Sequence, residues 1–490
     1  MTSPCAATPT STARWTSSPS AGERPGPQGR VRGRAGELAI VLHTHMPYVE
    51  GFGTWPFGEE WLWEAIATSY LPLLRILGRA PLTLSLTPVL CDQLEQPGAI
   101  QRCLAFLREV RSETHARDAA ELRARGELEA AAEVERSGAD YGHAADRLAE
   151  LTAGRGLLGA LGEHCRWTSA ATHAVLPLLA TDPGVALQLQ SAVASHRRRF
   201  GAWDGGLWLP ECAHASWLDP LLEAAGTRAA CVELTSHFGL GDRRHLQPLA
   251  SVAGPVLWPI DRSTIALVWG EDGYPARAAY RNYHGYTTFR HRAWRNDGAP
   301  YDRAAARAQA QSDAEEFVGA VGRRVRDGGV CVCALDTELL GHWWYEGVDW
   351  LAAVIAAAER HRLPLTTLDA ALERHEPASG PRHLGVTSWG EGGDLRTWSA
   401  PRVADFAFAA RTAELELAAT EQPSPRALRE LLALQSSDWA FLAYRATAGD
   451  YPQVRFRGHR GALSRALAAD PTLSAELRGL APDLNPAPFG

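Results

Sequence analysis

The sequence predicts an α/β fold whose parallel strands close into a barrel, followed by a mainly helical C-terminal domain. Three observations carry this expectation. Short apolar runs recur along the chain, each bounded by turn residues, as buried parallel strands require. Stretches with helical spacing lie between them, so strands and helices alternate. The alternation stops near residue 375, and the chain beyond that point is helical in pattern.

The first strand candidate is Leu38–Leu42, which runs into His43-Thr44-His45-Met46-Pro47-Tyr48. Leu82–Leu90, Leu207–Pro210, Arg228–Leu234, Ile265–Trp269, Val330–Leu335 and Leu363–Leu368 come after it. Helical spacing marks residues 59–78, about 115–155 and about 302–326. Strands spread over so long a segment favour a barrel over an open sheet. Pro377–Pro381 is a Pro/Gly-rich boundary. Beyond it, Val403–Ala418, Arg426–Arg445 and Gly461–Ala468 are helix candidates, and Leu480 to Gly490 read as frayed. The expected organisation is a disordered extension over 1–36, a barrel over 37–375 with a helical insertion at about 112–180, and a helical domain over 376–480.

Composition narrows the function. The 490 residues are 46% hydrophobic and 21% charged, an ordinary soluble balance. A net charge of −7 gives no electrostatic case for a nucleic-acid or anionic-membrane partner. No apolar run approaches the ~18 residues of a membrane span. The first 35 residues are rich in Ser, Thr, Pro, Gly and Arg and lack the apolar core of a secretory signal. Eight scattered cysteines without a CxxC fit a reducing compartment and offer no structural zinc site. A cytoplasmic protein without a cofactor is expected, as a monomer or weak homo-oligomer. Seventeen tryptophans are unusual. Their N–H groups need partners in a core, whereas their flat faces suit sugar rings. Any single one of them can as readily be a core residue.

Four segments bear chemistry. His43 and His45 end the first strand, and residues i and i+2 share a face. They can hold a metal together, bond sugar hydroxyls together, or pack. Gly205-Gly206-Leu207-Trp208-Leu209-Pro210-Glu211-Cys212 ends an apolar strand on a lone carboxylate, costly to bury unless used or paired. Cys333-Ala334-Leu335-Asp336-Thr337-Glu338 ends another on two acids, with His342, Trp343 and Trp344 close behind. Glycoside cleavage needs two carboxyls flanking the bond, one protonated and one ionised. Two acids on two strand ends beside aromatics supply that. Glu338 can be the working acid itself or can raise the pKa of Asp336 by repulsion. The fourth segment, Ser388-Trp389-Gly390 to Trp398, sets two indoles around a glycine-rich loop.

Together these segments resemble glycoside hydrolase family 57 and, within it, the 1,4-α-glucan branching enzymes. The likeness runs from about Glu37 to about His459. Leu42–Tyr48, Trp55–Trp61, Thr172-His173-Ala174, Trp208–Cys212, Asp336–Trp344, Ser388–Gly390 and Gln435–Trp439 each match a region of that family in order. The resemblance implies a (β/α)7 barrel whose site the C-terminal domain completes. It implies a metal-free double displacement on an α-glucan, with Glu211 as nucleophile and Asp336 as general acid/base. His43, His45, Trp55, Trp61, His173, Trp269, His342, Trp389, Trp398 and Asp438 become candidate substrate contacts.

One departure concerns specificity. The family's branching enzymes carry a longer segment before the tryptophan equivalent to Trp269, with a tyrosine-bearing loop that closes over the site. Glu233–Trp258 contains no tyrosine, and His237 or Phe238 are the available substitutes. A lost shield favours hydrolysis over transfer. The rivals are therefore an α-glucan hydrolase or 4-α-glucanotransferase on the same fold, a metal-dependent polysaccharide deacetylase using His43 and His45, and a non-catalytic glucan-binding protein.

Overall fold

The computed structural model describes residues 36–381, 383–473 and 479–489. Apart from Gly36, the N-terminal extension expected over 1–36 lies outside the described residues. The frame consists of β1 (Glu37–Thr44), β2 (Thr83–Leu86), β3 (Cys165–Ser169), β4 (Gly206–Trp208), β5 (Ala229–Val232), β6 (Val256–Pro259) and β7 (Val330–Asp336). From β1 to β6 each strand pairs in parallel with the next. β7 lies parallel to β1, with His43 opposite Asp336. Across the remaining seam, the Asp261 N–H just past β6 donates to the Val332 carbonyl at 2.8 Å. This is a (β/α)7 barrel, one unit short of the eight-fold form. Leu38 to Leu42 are almost fully buried, as a continuous apolar strand between two helical layers must be.

Several elements differ from the sequence expectation, each for a local reason. Ile265–Trp269 is the end of a helix, Arg262–Trp269, not a strand. Asp261 caps it by accepting from the Thr264 N–H at 3.1 Å, and an apolar run cannot reveal that choice. The strand stands just upstream at β6. Leu82–Leu90 stops being a strand at Leu86, because Pro88 opens the helix Pro88–Glu95. Of Leu363–Leu368 only Leu365–Thr366 pairs, and Thr367 caps the next helix.

The helical insertion holds Arg111–Ala124, Leu128–Thr152 and Gly156–Gly162, but β3 begins at Cys165, well inside the bounds drawn to about 180. Arg426–Arg445 is two helices, Pro425–Leu434 and Ser437–Arg445. The break at Gln435-Ser436 swings the start of the second helix toward the barrel. The last expected helix is the end of a longer one, Tyr451–Leu467. The C-terminal tail is tied down rather than frayed. The Ala481 N–H donates to Asp92 at 2.7 Å, and Asn485 donates to Gln190 at 2.7 Å.

A buried ion cluster joins the insertion to the long irregular segment 270–302 between β6 and β7. Glu133 of the insertion pairs with Arg281 and Arg303, and Arg281 stacks on Tyr301 and Tyr345 at 4.2 and 3.8 Å. Removing one member of such a buried pair leaves a naked charge, so this wall is pinned. From Gly36 onward the described residues cluster as one compact unit. Among the described residues no helix is long and apolar enough to cross a membrane.

The loop that leaves β7 depends on Gly341. Its φ of 99° suits glycine, and a Cβ there would press into the Thr68 carbonyl. Gly341→Ala should lose about 2–4 kcal/mol of stability. Denaturant unfolding of both proteins measures this, and coincident midpoints would mean that the loop relaxes freely.

Candidate active site

The carboxyl ends of the strands converge on one cavity of about 720 Å³. β1 delivers His45, the turn after β4 delivers Glu211, and the end of β7 delivers Asp336 and Glu338. Barrels place functional groups at this end because the loops there are free to vary.

Glu211 sits in a strained turn. It has φ 62° and Cys212 has φ 48°, and His173 nearby has φ 59°. Left-handed backbone at non-glycine residues costs energy and persists where the surroundings enforce it. Here the enforcement is visible. The Trp389 N–H donates to the Glu211 carbonyl at 2.9 Å, and the Trp389 indole N–H donates to Glu211 Oε2 at 2.7 Å. Ser437 Oγ donates to Glu211 Oε1 at 3.0 Å.

That last bond sets the direction of a longer chain. Ser437 has one proton and gives it to Glu211, so it must accept from His173 Nδ1–H at 2.9 Å. His173 Nε2 is then a lone pair and accepts from His43 Nε2–H, also at 2.9 Å. Burial first, and neighbouring imidazoles second, hold both histidines well below their ordinary pKa, so both are neutral. His45 is different. Burial opposes its charge, but Asp438 at 3.0 Å, with Glu338 and Glu211 beyond, raises its pKa.

Glu211, Asp336 and Glu338 are all pushed up in pKa. Burial, opposed by the Trp389 hydrogen bond and reinforced by Asp336, brings Glu211 to about 7. Burial brings Asp336 to about 6, with His45 lowering and Asp438 raising it. Its side chain is open to the cavity space yet ringed by protein, so a ligand that displaces cavity water strengthens this effect. Glu338, buried beside Tyr70 and Asp336, reaches about 8. Part of the rise at Glu211 is repulsion from Asp336. Two donors grip Glu211, which favours its anion. The Asp336 carboxyl takes no hydrogen bond from the described residues. Glu338 Oε1 is tied to the Tyr70 hydroxyl at 2.6 Å and the His45 N–H at 3.2 Å.

The other sequence-selected residues fall into three places. His45, Trp61, His173, Trp269, His342, Trp389, Trp398 and Asp438 line the cavity. His43 lies behind it, 1% exposed, stacked on Trp208 at 4.6 Å and hydrogen-bonded to His173 and Ser85. Trp55 is 64% exposed and outside the lining, which its neighbours Pro56 and Phe57 reach instead. Both ring nitrogens of His43, and Nε2 of His45, are engaged by protein groups.

Sequence reasoning missed Ser437 and Tyr70. It also missed an outer wall, with Glu60, Glu64, Arg111, His115 and Tyr141 on one side and Tyr283 and Tyr286 on the other. None of residues 233–258 lines the cavity. The only hint to the tyrosine wall was the run Tyr280-Arg281-Asn282-Tyr283-His284-Gly285-Tyr286.

Comparison with known proteins identifies the family. The model of Glycosyl hydrolase family 57 matches residues 167–380, and that of the 1,4-alpha-glucan branching enzyme C-terminal region matches 404–475. A probable 1,4-alpha-glucan branching enzyme of Mycobacterium tuberculosis is 31% identical over 502 residues, spanning 89% of this chain and 93% of the relative. The crystal structure of a family 57 branching enzyme from Pyrococcus horikoshii superposes with a TM-score of 0.83 at 28% identity, covering 93% of this chain and 96% of that one. Its counterpart from Thermococcus kodakaraensis gives 0.82 at 26%, covering 93% and 96%. The chain belongs to glycosyl hydrolase family 57.

Glu338 gives a test of the electrostatics. Its folded pKa of about 8 lies above the ordinary 4.5. The folded state therefore keeps a proton that the unfolded chain releases, and stability falls as pH rises through that window. Glu338→Gln keeps the Oε1 partners and removes the ionisation. It should gain about 1–3 kcal/mol on wild type at pH ~9 and little at pH ~4.5. Thermal melts at both values decide, and an equal difference at the two would assign the effect to packing.

Proposed function

We propose that this chain is a 1,4-α-glucan branching enzyme working by a retaining double displacement, with Glu211 as nucleophile and Asp336 as general acid/base. One observation carries the assignment. The two acids follow different barrel strands and face one cavity, one gripped by two hydrogen-bond donors and the other without a hydrogen-bond partner among the described residues. Glu211 attacks C1 of an α-1,4 link while Asp336 protonates the departing oxygen, giving a β-linked glucosyl ester. Asp336, now a base, takes the proton of a 6-hydroxyl on a second chain, whose oxygen attacks C1 to form an α-1,6 branch. Trp61, Trp269 and Trp389 supply faces for the sugar rings. The Asp438 carboxylate, held by His45, supplies acceptors for hydroxyls, and His173, engaged at both ring nitrogens, positions Ser437. His43 acts through His173, as a positioning residue.

The choice of transfer over hydrolysis is supported by the names of the relatives, matched over most of their length. It is also supported by Tyr283 and Tyr286, which wall the cavity where the 233–258 segment does not. A cytoplasmic setting, with a glycogen-like polymer as substrate and product, is the context we infer. Seven buried cysteines free of disulfides among the described residues support the compartment.

Product analysis on amylose tests the function. Wild type should form isoamylase-sensitive branches, and a rise in reducing sugar without branches would make the chain a hydrolase. Azide separates the two acids. In Glu211→Ala it occupies the vacated side and should give a β-glucosyl azide. In Asp336→Ala it attacks the glucosyl ester from the other face and should give the α anomer. Each variant should otherwise lose at least about a thousandfold in rate. Swapped anomers would reverse the roles.

A further inference from the structure

Residues 281–291 form a strap that the helical insertion clamps at two points. At one end the buried Glu133 pairs with Arg281. Arg281 also donates its backbone N–H to Glu346 at 3.1 Å and its Nη1 to the Arg292 carbonyl at 3.0 Å. At the other end Asp118, on the helix Arg111–Ala124, is 1% exposed. The Thr287 hydroxyl and the His291 Nδ1–H donate to its Oδ2, the latter at 2.7 Å. The Phe289 N–H donates to its Oδ1 at 3.1 Å. Between the clamps the chain folds on itself, with Asn282 Oδ1 accepting from the His284 and Gly285 N–H groups at 2.8 and 3.0 Å. This stretch carries Tyr283 and Tyr286 to the cavity wall. Tyr283 also meets the loop that follows Asp336. Its ring lies 4.8 Å from that of Trp343, and Arg292, 3.8 Å over the same ring, donates to the His342 carbonyl at 3.0 Å.

The Asp118 carboxylate spends all its hydrogen bonds among the described residues on the strap. A carboxylate so deeply buried is costly to leave without donors. Lifting the strap would strand it, so the strap stays down before any substrate arrives. Asp118 does not itself line the cavity. The two-acid chemistry has no use for it. Transfer does, however, need water kept from the glucosyl ester until a second chain reacts. The tyrosines that Asp118 holds in the wall are placed for that task, and the 233–258 segment is not.

We propose that Asp118 sets the partition between transfer and hydrolysis, by holding Tyr283 and Tyr286 where they keep water from the ester on Glu211. It is a positioning residue that works through the strap. The inference rests on the branching reading above. Two nucleophiles compete for one ester. The oxygen of a 6-hydroxyl or of water bonds to C1, and the C1–O bond to Glu211 breaks. Glu211 leaves as carboxylate and Asp336 takes the proton. The ratio of branches to new reducing ends reads this partition, because ester formation feeds both products equally.

The experiment measures that ratio on amylose in four proteins. They are wild type, Asp118→Asn, the pair Tyr283→Ala with Tyr286→Ala, and all three changes together. Asp118→Asn keeps the volume but turns one oxygen into a donor facing donors, which opens the clamp. It should lower the ratio about tenfold, and the tyrosine pair should lower it as far. The combined variant should match the tyrosine pair, since a clamp with nothing to hold has no further effect. Each loss should persist at saturating amylose, where weakened glucan binding would be overcome. A merely structural loss at Asp118 would lower both products and leave their ratio alone. An unchanged ratio in the tyrosine pair, or one that recovers at saturation, overturns the shield, whether or not Asp118→Asn folds. An unchanged ratio in Asp118→Asn, or a combined loss equal to the product of the two, overturns the positioning role. A wild type that makes no branches overturns the branching function as well, and so is distinguishable from failure of the clamp alone.

Discussion

A single proton on Ser437 organises the centre of this molecule. It goes to Glu211 Oε1, which obliges Ser437 to accept from His173 and His173 to accept from His43. Four side chains from the C-terminal helices, the turns after β3 and β4, and β1 are thereby locked in one tautomeric arrangement. The lock also holds the backbone. The Ser437 N–H donates to the His173 carbonyl at 3.1 Å, and His173 is itself left-handed. The barrel alone would leave Glu211 strained and its carboxylate buried without donors, an expensive combination. The C-terminal region offsets both costs at once, through Trp389 and Ser437. The break at Gln435-Ser436 matters for this reason, since a continuous helix would not present Ser437 and Asp438 to the strand ends.

The same arrangement distinguishes Asp336 from Glu338, which chemistry alone could not do. Both are acids at one strand end. Glu338 is anchored by Tyr70 and the His45 backbone, so its carboxyl is fixed in the wall and raised furthest in pKa. Asp336 has no such anchors and opens into the cavity. The His45–Asp438 pair acts on both acids. Its anion raises both Glu211 and Asp336, and its cation lowers Asp336. Burial is the largest cause at both acids, and repulsion from Asp336 adds to it at Glu211.

The barrel and its acids were legible in the sequence because they obey simple periodicities. Continuous apolar runs marked β1, β4, β5 and β7, and each of the two key acids directly followed such a run. β3 and β6 were not legible. Cys165-Arg166-Trp167-Thr168-Ser169 is short, polar in part and embedded among helices, and Val256–Pro259 is only one turn removed from a stronger apolar run that a capping Asp261 turns into helix. Tryptophans misled as often as they guided. Trp208, Trp258, Trp344, Trp350 and Trp439 are core residues, and exposed Trp55 misses the cavity. Ser437 was invisible because a serine before an aspartate carries no periodic signal. Its role exists only through three partners far apart in the chain.

The missing eighth strand accounts for the one feature that the sequence placed wrongly, the cover of the site. In a closed eight-fold barrel the space between the last and first units is filled by another β/α pair. Here β6 and β7 meet across the Asp261–Val332 bond, and the chain between them is spent on the helix Arg262–Trp269 and segment 270–302 instead. That segment brings Tyr283 and Tyr286 to the cavity wall, which no residue of 233–258 reaches. Its anchoring also changes the character of the shield. Arg281 is held by Glu133 and clasped between Tyr301 and Tyr345, and His291 is bound to Asp118 at 2.7 Å. A wall fixed by buried ion pairs excludes water by standing in place, where a mobile loop must close to do so.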